Sequence, residues 1–364
     1  MLSRRGPRLA AVLGLVLAIG MVAPAAGADP AFVVIASGFH SPRGLTLAPN
    51  GRLYVGEAGL AGGTPATGTQ PGFGFSSSIS VIRHPLWNHP TVRTLVAGLP
   101  SAGDTEGVIG VDGVSAARNG SIYAIIGLSN EGTGLPGALG RLIRVEPDGD
   151  KERVGNVGRY DYGWTSRHAS LSPRDFPDAN PYGVLATGGR VFVVDAGANT
   201  LDEVRDGRTR VLAFFPDNAL ADSTPTCVTK GPDGALYVGT LAFADFFANG
   251  PSSIVYRVDL ADTKPSSLNR VLHVATVWAT GLAPITGCAF GPHGNFYASE
   301  FIAGFGATGP FGEVVRIPFA HPDVHVALTG GTLSFPGGIA VDRHGHVFVV
   351  NKSTDDNGEV VLLK

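Results

Sequence analysis

Glu57, Asp195, Glu300 and Asn351 are the residues of this 364-residue chain whose types and spacing best suit chemistry. Each lies six residues after the glycine of a recurring turn, and each offers hard oxygen donors. Three carboxylates and an amide converging on one place could hold a cation such as Ca2+, which takes oxygen ligands. An ion so held would polarise a carbonyl while a carboxylate acts as base, the equipment of a metal-dependent hydrolase. Two further repeats carry Ile126 and Thr240 at the same place. Acidic side chains at strand ends also bind loop backbone or channel water, and no ligand-rich cation loop accompanies these four. Asn180 and Asn199, either side of the third repeat, could add oxygen ligands or serve as turn residues.

The spacing comes from an internal repeat. The turn glycines are Gly51, Gly120, Gly189, Gly234, Gly294 and Gly345, and an aromatic follows three residues later every time: Tyr54, Tyr123, Phe192, Tyr237, Tyr297 and Phe348. Asn50-Gly51, Asn119-Gly120 and Asp233-Gly234 are hairpin signals, because a tight turn needs positive φ. Two more strand candidates follow each hairpin, except that the last repeat ends at Lys364 without its fourth. Phe32-VVIASG, just before the first hairpin, supplies the missing strand. The chain is therefore expected to be all-β, a six-bladed β-propeller of four-stranded antiparallel blades closed by the N-terminal strand. Such a ring leaves no open edge, so a monomer is expected.

In a propeller the first strand of each blade lies nearest the axis. The starts of first strands, the ends of second strands and the long inserts then share one face, the channel mouth. The inserts are residues 59–78, 129–138, 241–251 and 301–312, with a further long connection over 155–180. Phe73, Phe75, Phe243, Phe246, Phe247, Phe301, Phe305 and Phe311 sit in mouth-side inserts, where they could grip an apolar ligand or close over the blade tops. Seven residues before the turn glycine stands a small residue, Gly44, Gly113, Gly287 or Gly338, as crowding at the axis requires; Gly183 serves in the third repeat and Cys227 in the fourth. Cys288 is one register off, on the other side of its strand. A disulfide between neighbouring blades is left open. There is no G-x-S-x-G, H-E-x-x-H, Gly-Lys phosphate loop or C-x-x-C.

Composition agrees with many short strands and turns: Gly 52, Pro 26, and only 16% charged residues. A net charge of −3 gives no electrostatic case for nucleic acid or an anionic membrane. Arg4, Arg5 and Arg8, the apolar stretch 9–22 and the small run ending Ala26-Gly27-Ala28 read as an export signal cleaved after Ala28. Residues 29–364 form the propeller domain, with no membrane span expected and a secreted location.

Ser41-PRGLTLAPNGRLYVGEAG, Ala179-NPYGVLATGGRVFVVDAGANTL and Pro225-TCVTKGPDGALYVG resemble the ScyD/ScyE family of exported bacterial propellers, related to NHL-repeat proteins. The resemblance covers nearly all of residues 29–364 and implies a place outside the cytoplasm, near pigment or secondary metabolism. Thr240 departs from it, where a carboxylate is expected. A looser resemblance to gluconolactonase-like propellers implies a divalent cation at the channel mouth, with Glu57, Asp195 and Asn351 of suitable types. The expected function is a non-catalytic propeller that binds a small molecule or protein partner at its mouth. The alternative is a metal-dependent, lactonase-like hydrolase.

Overall fold

The computed structural model describes residues 31–62, 72–103, 107–135, 137–217, 222–261 and 272–364. The expected export signal and its cleavage site lie outside the described residues. Six antiparallel sheets, here blades I to VI, follow one another along the chain, each built from a glycine-turn hairpin and the strands after it. In blade I the order is Pro42–Leu47, Leu53–Glu57, Gly72–Arg83 and Thr91–Gly103, with a short fifth strand at Val108–Ile109. Blade VI has Ile339–Val341, Val347–Asn351 and Gly358–Leu363, and the N-terminal strand Phe32–Phe39 pairs antiparallel to the last of these. The expected closure is thus present.

Each turn glycine has the positive φ its place demands, from 72° at Gly294 to 93° at Gly120. Blade III is one residue shorter because Gly188 and Gly189, both with positive φ, make a two-residue turn between Thr187 and Arg190. The aromatic three residues on faces into a blade interface, and Tyr54, Phe192, Tyr237, Tyr297 and Phe348 are buried. Apolar side chains of adjacent blades form mixed clusters, as where Phe192 and Leu201 of blade III meet Val228 and Val238 of blade IV. That burial is the main stabilising contribution of each wedge.

The small residue seven before the turn explains how six first strands fit round one axis. A Cβ on Gly338 would lie 2.4 Å from the backbone nitrogen of Leu45 in blade I, and one on Gly113 would lie 2.4 Å from the Tyr182 carbonyl of blade III. The position faces forward, against the next blade's first strand. Gly338→Ala should therefore cost about 1–3 kcal/mol of stability through overpacking. Gly137→Ala, with nothing within 4 Å, should change it by less than about 0.5 kcal/mol; urea unfolding of the two variants checks the difference.

Cys227 occupies this forward-facing position in blade IV, and it is bonded to Cys288 of blade V, with Cα atoms 5.8 Å apart. The offset of Cys288 by one residue is what makes the bond. A forward-pointing side chain on one blade meets a backward-pointing one on the next, so opposite parity brings the sulfurs together. No thiol among the described residues is left free.

The mouth-side segments are more ordered than loops. Residues 155–180 contain helix α1 (Val157–Arg167), whose N-cap Asn156 accepts a hydrogen bond from the Arg159 amide. The insert of blade IV contains helix α2 (Phe243–Asn249), and that of blade V extends its hairpin as Asn295–Gly306 and Gly309–Pro318.

Candidate functional site

The four candidate ligands stand at the mouth ends of second strands, as expected, and all four are buried. Glu57 accepts hydrogen bonds from the His40 amide at 2.9 Å and from the hydroxyls of Ser78 and Ser80 at 2.9 and 2.6 Å. Asp195 accepts through one oxygen from the amides of Asn180 (2.6 Å), Gly197 (3.0 Å) and Ala198 (2.9 Å). Glu300 accepts from the Ala283 amide at 2.9 Å, and Asn351 from the Ser334 amide at 2.8 Å. One motif recurs: the side chain at the end of the second strand holds the chain just before its own blade's first strand. Buried amides need such acceptors.

The other members of the ring vary the theme. Thr240 exchanges hydrogen bonds with Ile254 of the third strand. Blade II has Ile126 and no such acceptor; there the Gly110 amide is met by Asp112, at 3.4 Å. Asn180 accepts from the Leu128 amide of blade II, and Asn199 accepts from the Thr224 amide while donating to Asp217 and Asp222. Asp175, Asp217 and Asp222 bring one oxygen each within 4.8 Å of one another. Burial, and then the nearby Asp217 charge, raise the Asp222 carboxyl to about 8, against the Asn199 hydrogen bond. Glu300 is raised to about 7 by burial, and the Ala283 amide opposes this.

A second ring lies on the axis, one that sequence reasoning missed. In blades I to V the register of the first strand slips by one residue at its mouth end. The residues at the slip are Arg43, Asp112, Tyr182, Thr226 and Thr286. A bulge re-aims its side chain, and here it does so toward the axis. Thr226 donates to the Ile285 carbonyl of the next blade at 2.6 Å, and Thr286 to that of Pro336 at 2.7 Å. Arg43 of blade I donates to the Val108 carbonyl at 3.0 Å. The Arg43 charge bears on both the Tyr182 phenol of blade III and the Asp112 carboxyl of blade II. Burial raises the Asp112 carboxyl to about 7 even though Arg43 acts to lower it. The available signal was a polar residue inside each apolar first strand, always one place before the small residue.

The mouth-side phenylalanines form a cluster from blades IV, V and VI. Phe243 of α2 packs edge-on to Phe247 with centroids 4.7 Å apart, and Phe301 lies 5.0 Å from Phe335. Phe246 and Phe301 are buried beneath, whereas Phe247 and Phe305 are 55% and 63% exposed and 6.3 Å apart. In blade I, Phe73 and Phe75 form a separate pair, with Phe75 largely exposed. Phe311 instead covers the backbone at Gly304 and Gly331.

Strand order, closure and axial packing define a six-bladed β-propeller of four-stranded blades. Its backbone is similar to that of a gluconolactonase from Xanthomonas campestris, with a TM-score of 0.55 and 12% identity over 94% of this chain and 99% of that one. It is also similar to a glucose-dehydrogenase-type oxidoreductase from Thermus thermophilus (TM-score 0.55, 12% identity, 92% and 100% covered). A luciferin-regenerating enzyme gives a TM-score of 0.52 at 11% identity, with 92% and 95% covered. At such identities the likeness shows the fold alone. No protein-family model matches the chain, and no curated protein matches it in sequence.

Proposed function

We propose that this protein is a secreted, non-catalytic propeller that holds a small apolar ligand, one bearing an aromatic ring, against the phenylalanine cluster on its mouth face. The observation that carries this is Phe247 and Phe305 standing exposed over a floor of packed rings. Covering the exposed part of one such ring contributes roughly 3 kcal/mol, at about 25 cal/mol per Å². The mouth carboxylates support a binding role, since Glu57, Asp195 and Glu300 accept from backbone amides of their own blades. On the axis Asp112 faces the Arg43 guanidinium, which would repel a cation. Secretion is supported by the export-signal pattern of residues 1–28 and by the disulfide, which belongs in an oxidising compartment. The reading fits membership of the ScyD/ScyE family, whose exported members it resembles.

The test is fluorescence binding of anilinonaphthalene sulfonate and a panel of indoles and phenols. The Phe247→Ser, Phe305→Ser double variant should bind at least about tenfold more weakly, the equivalent of about 1.4 kcal/mol, with an unchanged Tm. Unaltered binding would overturn the assignment. The hydrolase reading is favoured instead by lactone hydrolysis that depends on added metal and disappears in Glu57→Gln and Glu300→Gln.

A further inference from the structure

The large apolar side chains left exposed fall into two sets. Phe75, Phe247 and Phe305 belong to the mouth face, whereas Leu86, Trp87, Val92, Val33 and Val324 lie toward the opposite rim, on the side of the six glycine turns. Strand pairing places them there. Leu53, two residues after Gly51, pairs with Ile82, so the turn 84–90 that follows the third strand of blade I projects from the glycine side. Phe32 pairs with Leu363, one residue beyond the partner of Phe348, which puts the start of the N-terminal strand on that side of blade VI. Val324 stands just before Val326, the partner of Arg316, in blade V. Blades V, VI and I are consecutive round the ring. The corresponding ends of blades II and III expose no large apolar side chain among the described residues.

The turn 84–90 holds its apolar tip outward. The Trp87 amide donates to the His84 carbonyl at 3.0 Å, and the two rings stack with centroids 3.8 Å apart and planes 11° from parallel. Trp87 is nonetheless 64% exposed and Leu86 48%. An indole so fixed does not fold back onto the sheet, and its exposure marks a surface that something covers. The charges around it have one sign. Arg83 and Arg93 flank the turn, and Arg52 and Arg343 stand on the glycine side of blades I and VI. None of the four enters an ion pair among the described residues. Of the acids on this rim, Asp323 and Asp342, the second is already engaged by the His344 and His346 amides. The net charge of −3 gives no average preference for an anionic surface, but the placement of the charges does.

We propose that the glycine-turn rim of blades V, VI and I rests on the surface of an anionic lipid bilayer, with Trp87 and Leu86 at the level of the headgroups and the arginines against their phosphates. A Trp at such a boundary keeps its ring in the apolar layer and its N–H in the wet one, and each basic side chain near an anionic leaflet adds attraction. A stable protein partner would need a contiguous patch of roughly 800 Å² on each side. These side chains come instead from three blades, strung along a rim that a flat surface touches at once. The N-terminal strand adds a second argument. Residues 1–28, proposed above as an export signal, join the propeller at this rim. The nine residues between the apolar stretch 9–22 and Phe32 reach at most about 30 Å. A signal lodged in the membrane therefore delivers this rim to it and leaves the mouth face turned away. The phenylalanine cluster lies on that other face, so the two readings stand or fall separately.

The test uses the chain from residue 29, which holds every strand of the closed ring, and vesicles of phosphatidylcholine with about 30% phosphatidylglycerol. We expect co-sedimentation with these vesicles, little with phosphatidylcholine alone, and weakening in about 0.5 M NaCl. Trp87 alone of the three tryptophans is exposed, so emission should shift to the blue on binding and be quenched by lipids brominated in the acyl chain. Leu86→Ser with Trp87→Ser, and separately Arg83→Glu with Arg93→Glu, should each weaken binding at least about tenfold, with Tm unchanged. Arg153→Glu with Arg208→Glu, on blades II and III, should leave it unaltered, as should Phe247→Ser with Phe305→Ser on the mouth face. Absence of co-sedimentation overturns the proposal. So does binding that survives the paired serine changes yet vanishes in salt, the mark of an acidic polymer, and so does a Trp87-dependent dimer formed without vesicles, the mark of a second copy. Binding lost equally in the variant of blades II and III would show charge without a preferred face and overturn it too.

Discussion

Replacing Cys227 and Cys288 together by serine should lower the unfolding free energy by about 4 kcal/mol. The bond joins residues separated by 61 positions, and closing a loop of that length removes roughly this much denatured-state entropy. Serine fits both places, so packing losses add little. A reductant should lower the urea midpoint of the wild type to that of the double variant and leave the double variant unmoved. The single variant Cys227→Ser should behave like the double one, because one sulfur alone closes no loop. Reductant-insensitive unfolding of the wild type would show that the bond contributes nothing. The clasp ties first strands of adjacent blades, so its loss should also loosen the wedge where Ile285 and Phe296 pack. Faster amide exchange in blades IV and V, with blades I and II unchanged, would report this.

The second large effect is a dependence on pH centred on Asp112. Its folded-state carboxyl is raised from 3.8 to about 7, burial being the cause and Arg43 the opposing charge. Between those values the folded chain holds a proton that the unfolded chain has released, so stability falls as pH rises through the window. It is flat again above about pH 7. Three pH units correspond to about 4 kcal/mol. Asp112→Asn cannot titrate, so its stability relative to wild type should climb by roughly that amount from pH 4 to pH 8. Several other carboxyls, including Glu300 and Asp178 at about 7, slope the same way. The difference between wild type and variant cancels them. Urea unfolding of both proteins at four pH values is the measurement, and parallel curves would sink the idea.

How much of this was legible beforehand depends on whether a feature repeats. Gly51 and its five equivalents, with the aromatic three residues on, announce six hairpins because each blade must solve the same turn and the same wedge. The N-terminal strand was legible as the complement of an incomplete last repeat. The axial ring was harder to read, because a one-residue bulge breaks the alternation that tells inward from outward; Arg43, Asp112 and Tyr182 differ in type, and all they share is a polar group one place before the small residue. Helix α1 escaped as well. Gly158 and Gly163 weaken its propensity, and Asn156 as N-cap was the clearest local cue. The partners of Glu57 and Asp195 were beyond reach for another reason: a carboxylate that staples backbone and one that ligates a cation look the same in sequence. Cys288 shows the converse, where the parity was read correctly but neighbouring blades present opposite faces to one another.

The seam in blade VI carries a consequence for how the protein is made. Phe32 pairs with Leu363, and the Lys364 amide donates to the Ala31 carbonyl at 2.9 Å. Of the propeller's described strands, the one made first is therefore the last to find its neighbour, waiting unpaired while every other blade is synthesised. Bringing Phe32 to Leu363 closes the longest stretch of chain of any strand pairing among the described residues, at the largest loop-closure entropy. Until it forms, Phe32–Phe39 offers an open edge to any passing strand, which makes it the segment most in need of a chaperone. Once joined, it turns an open arc into a hoop, and the hoop's resistance to being pulled apart resides in two short strands held by no covalent bond.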